Sequence, residues 1–356
     1  MIGYLCATPF HITAAITMQS GMFAGKKSTL IVMDHFDVDM ELINRIKETG
    51  VFDSVLLFHS NNKTKLNKIK RLVNVFAPSE LIKNIANKTK YTHFVCFALD
   101  FLNLAYIMKR YEKRGINCEF SFGDDGIGTY IREGIYKPKD TVVKLMKISG
   151  RSGYTDKITR LYTYKPDFMV TNRSYDILPI EQSESACVKR RNAVLNIWPL
   201  NQDIDIDGKI LYFEQPNEAD KDNEDQGIEQ QALSMAAEML DSHTVVKMHP
   251  RSTAESVWQK FGVLKTKMPY EVMLLQKQCA PKLMMTVNST ALFSTYLFDD
   301  LPAATCASVL LYKIMIHKNE TLNSAMSKLC DVVNKSQENV KIYNPETMDE
   351  LRGILQ

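Results

Sequence analysis

Cys118-Glu119-Phe120-Ser121-Phe122-Gly123-Asp124-Asp125-Gly126 is a short apolar run that stops in two carboxylates and a glycine. Its aromatic residues suit a strand, and Gly126 permits a sharp reversal at the end of it. On extended backbone, neighbouring side chains point to opposite faces. At most one of Asp124 and Asp125 can therefore face a ligand while the other braces the turn. Upstream the same design recurs. Residues 2–7, 28–33, 54–58 and 92–98 read as strands, with helices over 10–18, 39–49 and 101–112 between them. In the second of these helices Leu42, Ile43 and Ile46 share one face. Such a βαβα alternation predicts a parallel sheet with helices on both faces. Ligands bind such sheets at the carboxyl ends of the strands.

A second alternation follows. Residues 129–161 are looser, with a short helical insertion expected, and 168–171 are strand-like. The polar stretch 181–191 marks a boundary before Asp203. Strands are then expected over 208–213, 244–248 and 283–287, with another within 302–308. Helices are expected over 227–240, from Asn288-Ser289-Thr290-Ala291, and over 345–355 with Asn344 as cap. The expected organisation is thus an α/β chain of two Rossmann-like domains, with parallel sheets facing a central cleft. Residues 1–190 form the acceptor-side domain, 204–340 the donor-side domain, and 341–356 a terminal helix. This is the GT-B plan of glycosyltransferases. No GxGxxG or GxxxxGK[ST] motif occurs, which weighs against NAD and NTP chemistry.

Composition agrees. A chain of 356 residues can hold two cores, since single cores stop growing at about 250–300 residues. A hydrophobic content of 45% and a charged content of 24% are ordinary for a globular protein. The net charge of +3 gives no bulk argument for nucleic acid. Lys63, Lys65, Lys68, Lys70, Arg71, Lys83, Lys88 and Lys90 form a basic stretch. It reads as a solvated helical face or as a surface for anionic lipid or an anionic acceptor. Seven cysteines without a CxxC or Cys/His cluster indicate neither a zinc site nor a disulfide framework. They favour a reducing compartment. The chain opens directly as a strand, so no signal peptide is expected. Residues 301–312 are too few to span a bilayer, which takes about 20 apolar residues. A cytoplasmic protein, with peripheral contact at the inner membrane face, is the expectation.

Chemistry-bearing residues cluster at strand ends. Asp124-Asp125-Gly126 offers a general base, although the same residues also suit a turn whose carboxylates satisfy backbone amides. His249-Pro250-Arg251 follows the strand at 244–248; proline holds the histidine extended. The imidazole can donate to a phosphate oxygen, and Arg251 can clamp an anion. Asn288-Ser289-Thr290 offers hydroxyls and helix-start amides to a phosphate, or a plain cap. Thr8-Pro9 repeats the strand-to-helix design, with Thr8 as cap and His11 beyond it. Glu214 and Asp220, after the first strand of the second half, are further sources of an acid.

The order of these motifs, D-D-G at 124–126, H-P at 249–250 and S-T at 289–290, resembles that of bacterial sialyltransferases. Met248-His249-Pro250-Arg251, Phe122-Gly123-Asp124-Asp125-Gly126 and Thr8-Pro9 are most similar to glycosyltransferase family 52, which includes lipooligosaccharide and capsule sialyltransferases. The resemblance implies a GT-B fold, CMP-sialic acid as donor, inversion at the anomeric carbon and no obligatory metal or other cofactor. It implies a base at Asp125, Glu214 or Asp220 and His249 at the leaving phosphate. Asp124, Gly126, Thr8, Pro250, Arg251, Asn288, Ser289 and Thr290 are then substrate-binding. The expected acceptor is a galactose-terminated, lipid-linked glycan, and the resemblance admits a homodimer. The alternatives are a GT-B transferase using a UDP-sugar and a non-catalytic nucleotide- or glycan-binding protein.

Overall fold

The computed structural model describes residues 1–59, 78–132, 135–171, 174–199, 205–214, 240, 243–248, 261–264, 266, 268–276, 281–287, 289–301, 306–315, 320–336 and 341–355. Two compact units emerge. The first comprises Met1–Asp125, Glu133–Pro166 and Asn172–Ile197; the second comprises Gly126–Arg132, Asp167–Thr171 and Trp198–Gln356.

The first unit holds β1 (Ile2–Cys6), α1 (Pro9–Ser20), β2 (Ser28–Met33), α2 (Met40–Glu48), β3 (Ser54–Phe58), α3 (Glu80–Lys88), β4 (His93–Cys96), α4 (Phe101–Lys113) and β5 (Glu119–Gly123). Its sheet runs β3-β2-β1-β4-β5 and continues through β6 (Arg160–Thr163) and β7 (Asp176–Pro179), every pair parallel. The order reverses between β1 and β4, so the switch point lies at their carboxyl ends. All five β1 residues are buried, as a strand covered on both faces requires. Tyr4 pairs with Leu30 on one side and Val95 on the other. Polar caps start the helices: Thr8, Asp39, Ser79 and Asp100 accept from the amides of His11, Leu42, Ile82 and Asn103. Phe94, Phe122 and Leu161, all fully buried, anchor the core. Truncating Phe122 to alanine would cost about 3–5 kcal/mol.

The second unit repeats the order. Its sheet runs β10 (Gly262–Leu264), β9 (Thr244–Lys247), β8 (Ile210–Phe213), β11 (Leu283–Thr286), β12 (Ala307–Leu310) and β13 (Ile342–Tyr343), again parallel throughout. Its helices include α5 (Ile127–Ile131), α8 (Tyr270–Gln276) and α9 (Ser294–Leu297). No helix among the described residues is long and apolar enough to cross a membrane.

Several expectations require correction. The polar stretch 181–191 lies mostly within a helix, α7 (Glu184–Ile197), that packs against α1 and α2; the first unit therefore runs on past residue 190 to Ile197, and the boundary falls between that stretch and Asp203 as expected. It buries Ala186, Cys187, Arg190, Ala193, Val194 and Ile197, a helical stripe with an arginine at its centre. Phe168 ends a 3-10 turn, Pro166–Phe168, rather than starting a strand. Proline fixes its own φ and offers no amide to a ladder. The strands of this region are β6 and β7, and β7 at the sheet edge accommodates Pro179. Residues 140–148 form α6 (Asp140–Ile148), the expected insertion. At the end of the chain, the terminal helix (Met348–Leu355) starts later than residue 345. Thr347, not Asn344, accepts the Glu350 amide, and Asn344 donates instead to Ser327. Residues 341–356 supply β13 as well as that helix. The expected helix over 227–240, except Leu240, and Lys63, Lys65, Lys68, Lys70 and Arg71 lie outside the described residues.

Candidate active site

At the carboxyl end of the first sheet, β1, β4 and β5 deliver their last residues to one place. Asp124 and Asp125, the two residues after β5, sit in different surroundings. Asp124 is fully buried, and its Oδ2 accepts the Tyr164 amide at 3.1 Å. Asp125 is 28% exposed, and its Oδ1 lies 2.7 Å from His11 Nε2. His11 itself is buried. The direction of this hydrogen bond follows from the other ring nitrogen. The Ala7 amide lies 3.2 Å from His11 Nδ1, and a backbone N–H can only donate. Nδ1 is therefore the acceptor, and Nε2 carries the proton it donates to Asp125.

The ring is held on every side. Thr8 Oγ1 accepts the His11 amide at 3.2 Å and fixes the first turn of α1. Thr8 is thereby a helix cap, the simpler of its readings. Phe97 stacks on the imidazole, with centroids 5.7 Å apart and planes 25° apart. Phe97 in turn lies against Gly123, where a Cβ would come within 2.2 Å of the ring. Only glycine leaves room for that ring. Tyr136 Oη donates to the Gly123 carbonyl at 2.8 Å. Burial pushes the Cys96 thiol well up, and the carboxylates of Asp100 and Asp125 push the same way. In the sequence, His11 stood out as a residue that could point into a cleft, beside the simpler reading of a helix cap. Its partner is 114 residues away in the chain, and the sole local signal was a histidine one turn into a helix that starts at a strand end.

Gly126 begins the second unit. Its φ of 83° and ψ of −150° lie where side chains are strongly disfavoured. A Cβ there would meet Thr290 Oγ1 at 2.4 Å. That hydroxyl oxygen accepts the Ile127 amide at 3.1 Å. Thr290 is thus tied to the turn after D-D-G and keeps its own hydrogen to donate. Ser289 Oγ accepts the Ala291 amide at 3.3 Å, and the Ser289 amide donates to Thr286 Oγ1 at 3.3 Å. The helix expected here is only a 3-10 turn, Thr290–Phe293, followed by the four residues of α9. So short a helix has little dipole to offer an anion, so the hydroxyls carry the polar character of this turn.

Glu214 directly follows β8 and is only 2% exposed; its amide donates to the Lys247 carbonyl at 3.1 Å. Of the two described acids expected as base, Asp125 is therefore the more accessible. Lys247 ends β9, and burial pulls its ammonium down to about 8, against the pull of the Glu271 carboxylate. Glu271 Oε1 accepts from Ser294 Oγ at 2.5 Å. His249, Pro250, Arg251, Asp220 and Asn288 lie outside the described residues. A cavity of about 410 Å³ sits at the opposite, amino-terminal end of β5 and β6, lined by Glu112, Glu119, Tyr154, Lys157 and Arg160 among others. Its cations are already paired, Lys157 with Glu112 and Arg160 with Glu119.

Comparison with known proteins gives this geometry a context. The chain is similar to the glycotransferase of kitacinnamycin, with 12% identity, a TM-score of 0.51, and coverage of 99% of this chain and 89% of that one. It is similar to the spinosyn forosaminyltransferase SpnP at 10% identity and TM-score 0.51, covering 99% and 88% of the two chains. These likenesses show the GT-B fold. An alpha/beta-galactoside alpha-2,3-sialyltransferase from the luminous marine bacterium Photobacterium phosphoreum aligns at 15% identity and TM-score 0.49, over 96% of this chain and 98% of that one. Comparison with curated protein sequences finds no match. The family model of alpha-2,8-polysialyltransferase (POLYST) matches residues 4–308, most of the 356. Asp125, Glu214, His249 and Ser289 all fall within that match, and the chain belongs to the alpha-2,8-polysialyltransferase family.

Proposed function

We propose that this protein transfers a sialyl group from CMP-sialic acid to a hydroxyl of the terminal sugar of a bacterial surface glycan, with inversion. The observation that carries the reading is the division of labour at β5. Of two adjacent carboxylates, one is sealed in the fold and the other is partly exposed at a strand end. Asp125 is the base. The acceptor oxygen attacks C2 of the sialyl group, its proton passes to Asp125, and the bond from C2 to the phosphate oxygen breaks. The electron pair leaves with CMP. His249 is assigned to hydrogen-bond or protonate that departing phosphate, and Arg251, Ser289 and Thr290 to hold it. Transfer then needs no divalent cation.

The family's linkage bears on the acceptor. A bond to position 8 requires a sugar with an eighth carbon, which a hexose lacks and a sialic acid has. A sialic acid terminus is thus favoured over the galactose expected from the resemblance.

The test is CMP release from CMP-sialic acid in the presence of galactose-terminated and sialic-acid-terminated acceptors, with and without EDTA. Release only with acceptor, undiminished by EDTA, is the expected result. Binding of CMP without any release would make the protein a nucleotide-binding module. Turnover with a UDP-sugar instead would reassign the donor. A positioned base contributes ~10²–10⁴-fold, so Asp125→Ala should lower turnover by that factor with its thermal melt retained. Full turnover in Asp125→Ala would remove the base assignment.

A further inference from the structure

We infer that His11 is a positioning residue for Asp125, holding one carboxylate oxygen so that the other is presented to the acceptor hydroxyl; this rests on the reading of Asp125 as base. Both ring nitrogens of His11 are engaged, Nδ1 by the Ala7 amide and Nε2 by Asp125 Oδ1. With the ring 2% exposed as well, no nitrogen remains to take a proton from a substrate. The imidazole therefore stands behind the carboxylate and does not replace it as base. A carboxylate on one rotatable stem at a turn has several rotamers open to it. The Nε2–H bond at 2.7 Å selects one of them, and the Phe97 stack and the Thr8 cap fix the donor that does so. Oδ1 is engaged by that bond, and Oδ2 is the oxygen assigned to the proton. Each of these contacts lies within the first unit.

The substitutions separate donor from shape. His11→Phe keeps a ring to stack on Phe97 but cannot donate. His11→Gln carries an amide that reaches the Nε2 position, whereas His11→Asn reaches only the Nδ1 position. A hydrogen bond to a charged group corresponds to about 10–100-fold in rate. His11→Phe and His11→Asn should lose that factor in kcat, with KM for CMP-sialic acid unchanged, and His11→Gln should recover most of it. In an Asp125→Asn background, His11→Phe should add no further loss. A purely structural role would lower the folded fraction and treat Gln and Asn alike. The inference is overturned if His11→Phe keeps full kcat, or if Gln and Asn variants with intact melts are equally impaired. Turnover retained by Asp125→Ala would defeat the base reading instead, a different result on a different variant.

Discussion

Gly126→Ala tests whether the D-D-G turn is held by sterics. At φ 83° and ψ −150° an alanine is strained by about 1–3 kcal/mol. Its Cβ would also come within 2.4 Å of Thr290 Oγ1 and 2.9 Å of Thr290 Cγ2. Both cannot be relieved by a small shift, so Thr290 must turn away from the Ile127 amide it accepts. Losing that hydrogen bond adds about 0.5–1.5 kcal/mol. The total of about 1.5–4.5 kcal/mol corresponds to a melting shift of roughly 3–18 °C for a unit of this size. Differential scanning calorimetry reads the shift directly. Thr290→Ala removes both contacting atoms, so the double variant should melt higher than the two single shifts added together predict. A shift below about 1 °C for Gly126→Ala, well short of that range, or strict additivity in the double variant, would refute the steric account.

Two further predictions concern buried titratable groups. Lys247 is protonated in the unfolded chain up to its ordinary 10.5 but loses its proton near 8 when folded. Below pH 8 both states carry the charge and the folded state bears the full desolvation cost. Between pH 8 and 10.5 the unfolded state binds more protons, so this group's contribution becomes less unfavourable as pH rises. Lys247→Met should therefore raise the melting temperature at pH 7, by the equivalent of up to about 3 kcal/mol, with the gain fading toward pH 10.5. A gain that does not change with pH would refute this. Cys6 and Cys96 are fully buried with thiols pushed well up, and Cys118 is pushed to about 12. A thiol reagent at pH 8 should label Cys6 and Cys96 only on unfolding and the half-buried Cys118 only slowly, as mass spectrometry of the labelled peptides would show; rapid native labelling of Cys6 or Cys96 would count against the packing of β1 on β4.

The first five strands of the first sheet were legible because they are apolar runs that end in punctuation such as Thr8-Pro9 and Asp124-Asp125-Gly126. The two adjacent acids were read as pointing to opposite sides, at most one of them toward a ligand; in the structure Asp124 is buried and Asp125 is partly exposed. Helix α7 was hidden for a physical reason. Its buried stripe is made of small residues around Arg190, and polarity alone resembles a linker when a guanidinium is the buried group. The strands β6 and β7 are four residues each and carry Arg160 and Asp176 at their starts, too short for an alternation to declare itself. His11 was legible as a position but not as a pair. Its bond to Asp125 depends on the order β1-β4-β5, which is a property of the sheet and not of either segment.

The Ala7 amide has a consequence for how this protein can fail. β1 stops at Cys6, and the next N–H leaves the ladder to grip the imidazole. The end of the strand and the aim of His11 are thus one event. A slip of β1 by one residue against β2 and β4 would exchange its faces and carry the grip to the wrong position. Such a misthreaded chain could retain its helices and its circular dichroism while its imidazole pointed elsewhere. Specific activity per folded molecule would then serve as a ruler for strand alignment, sensitive to an error that bulk spectroscopy overlooks.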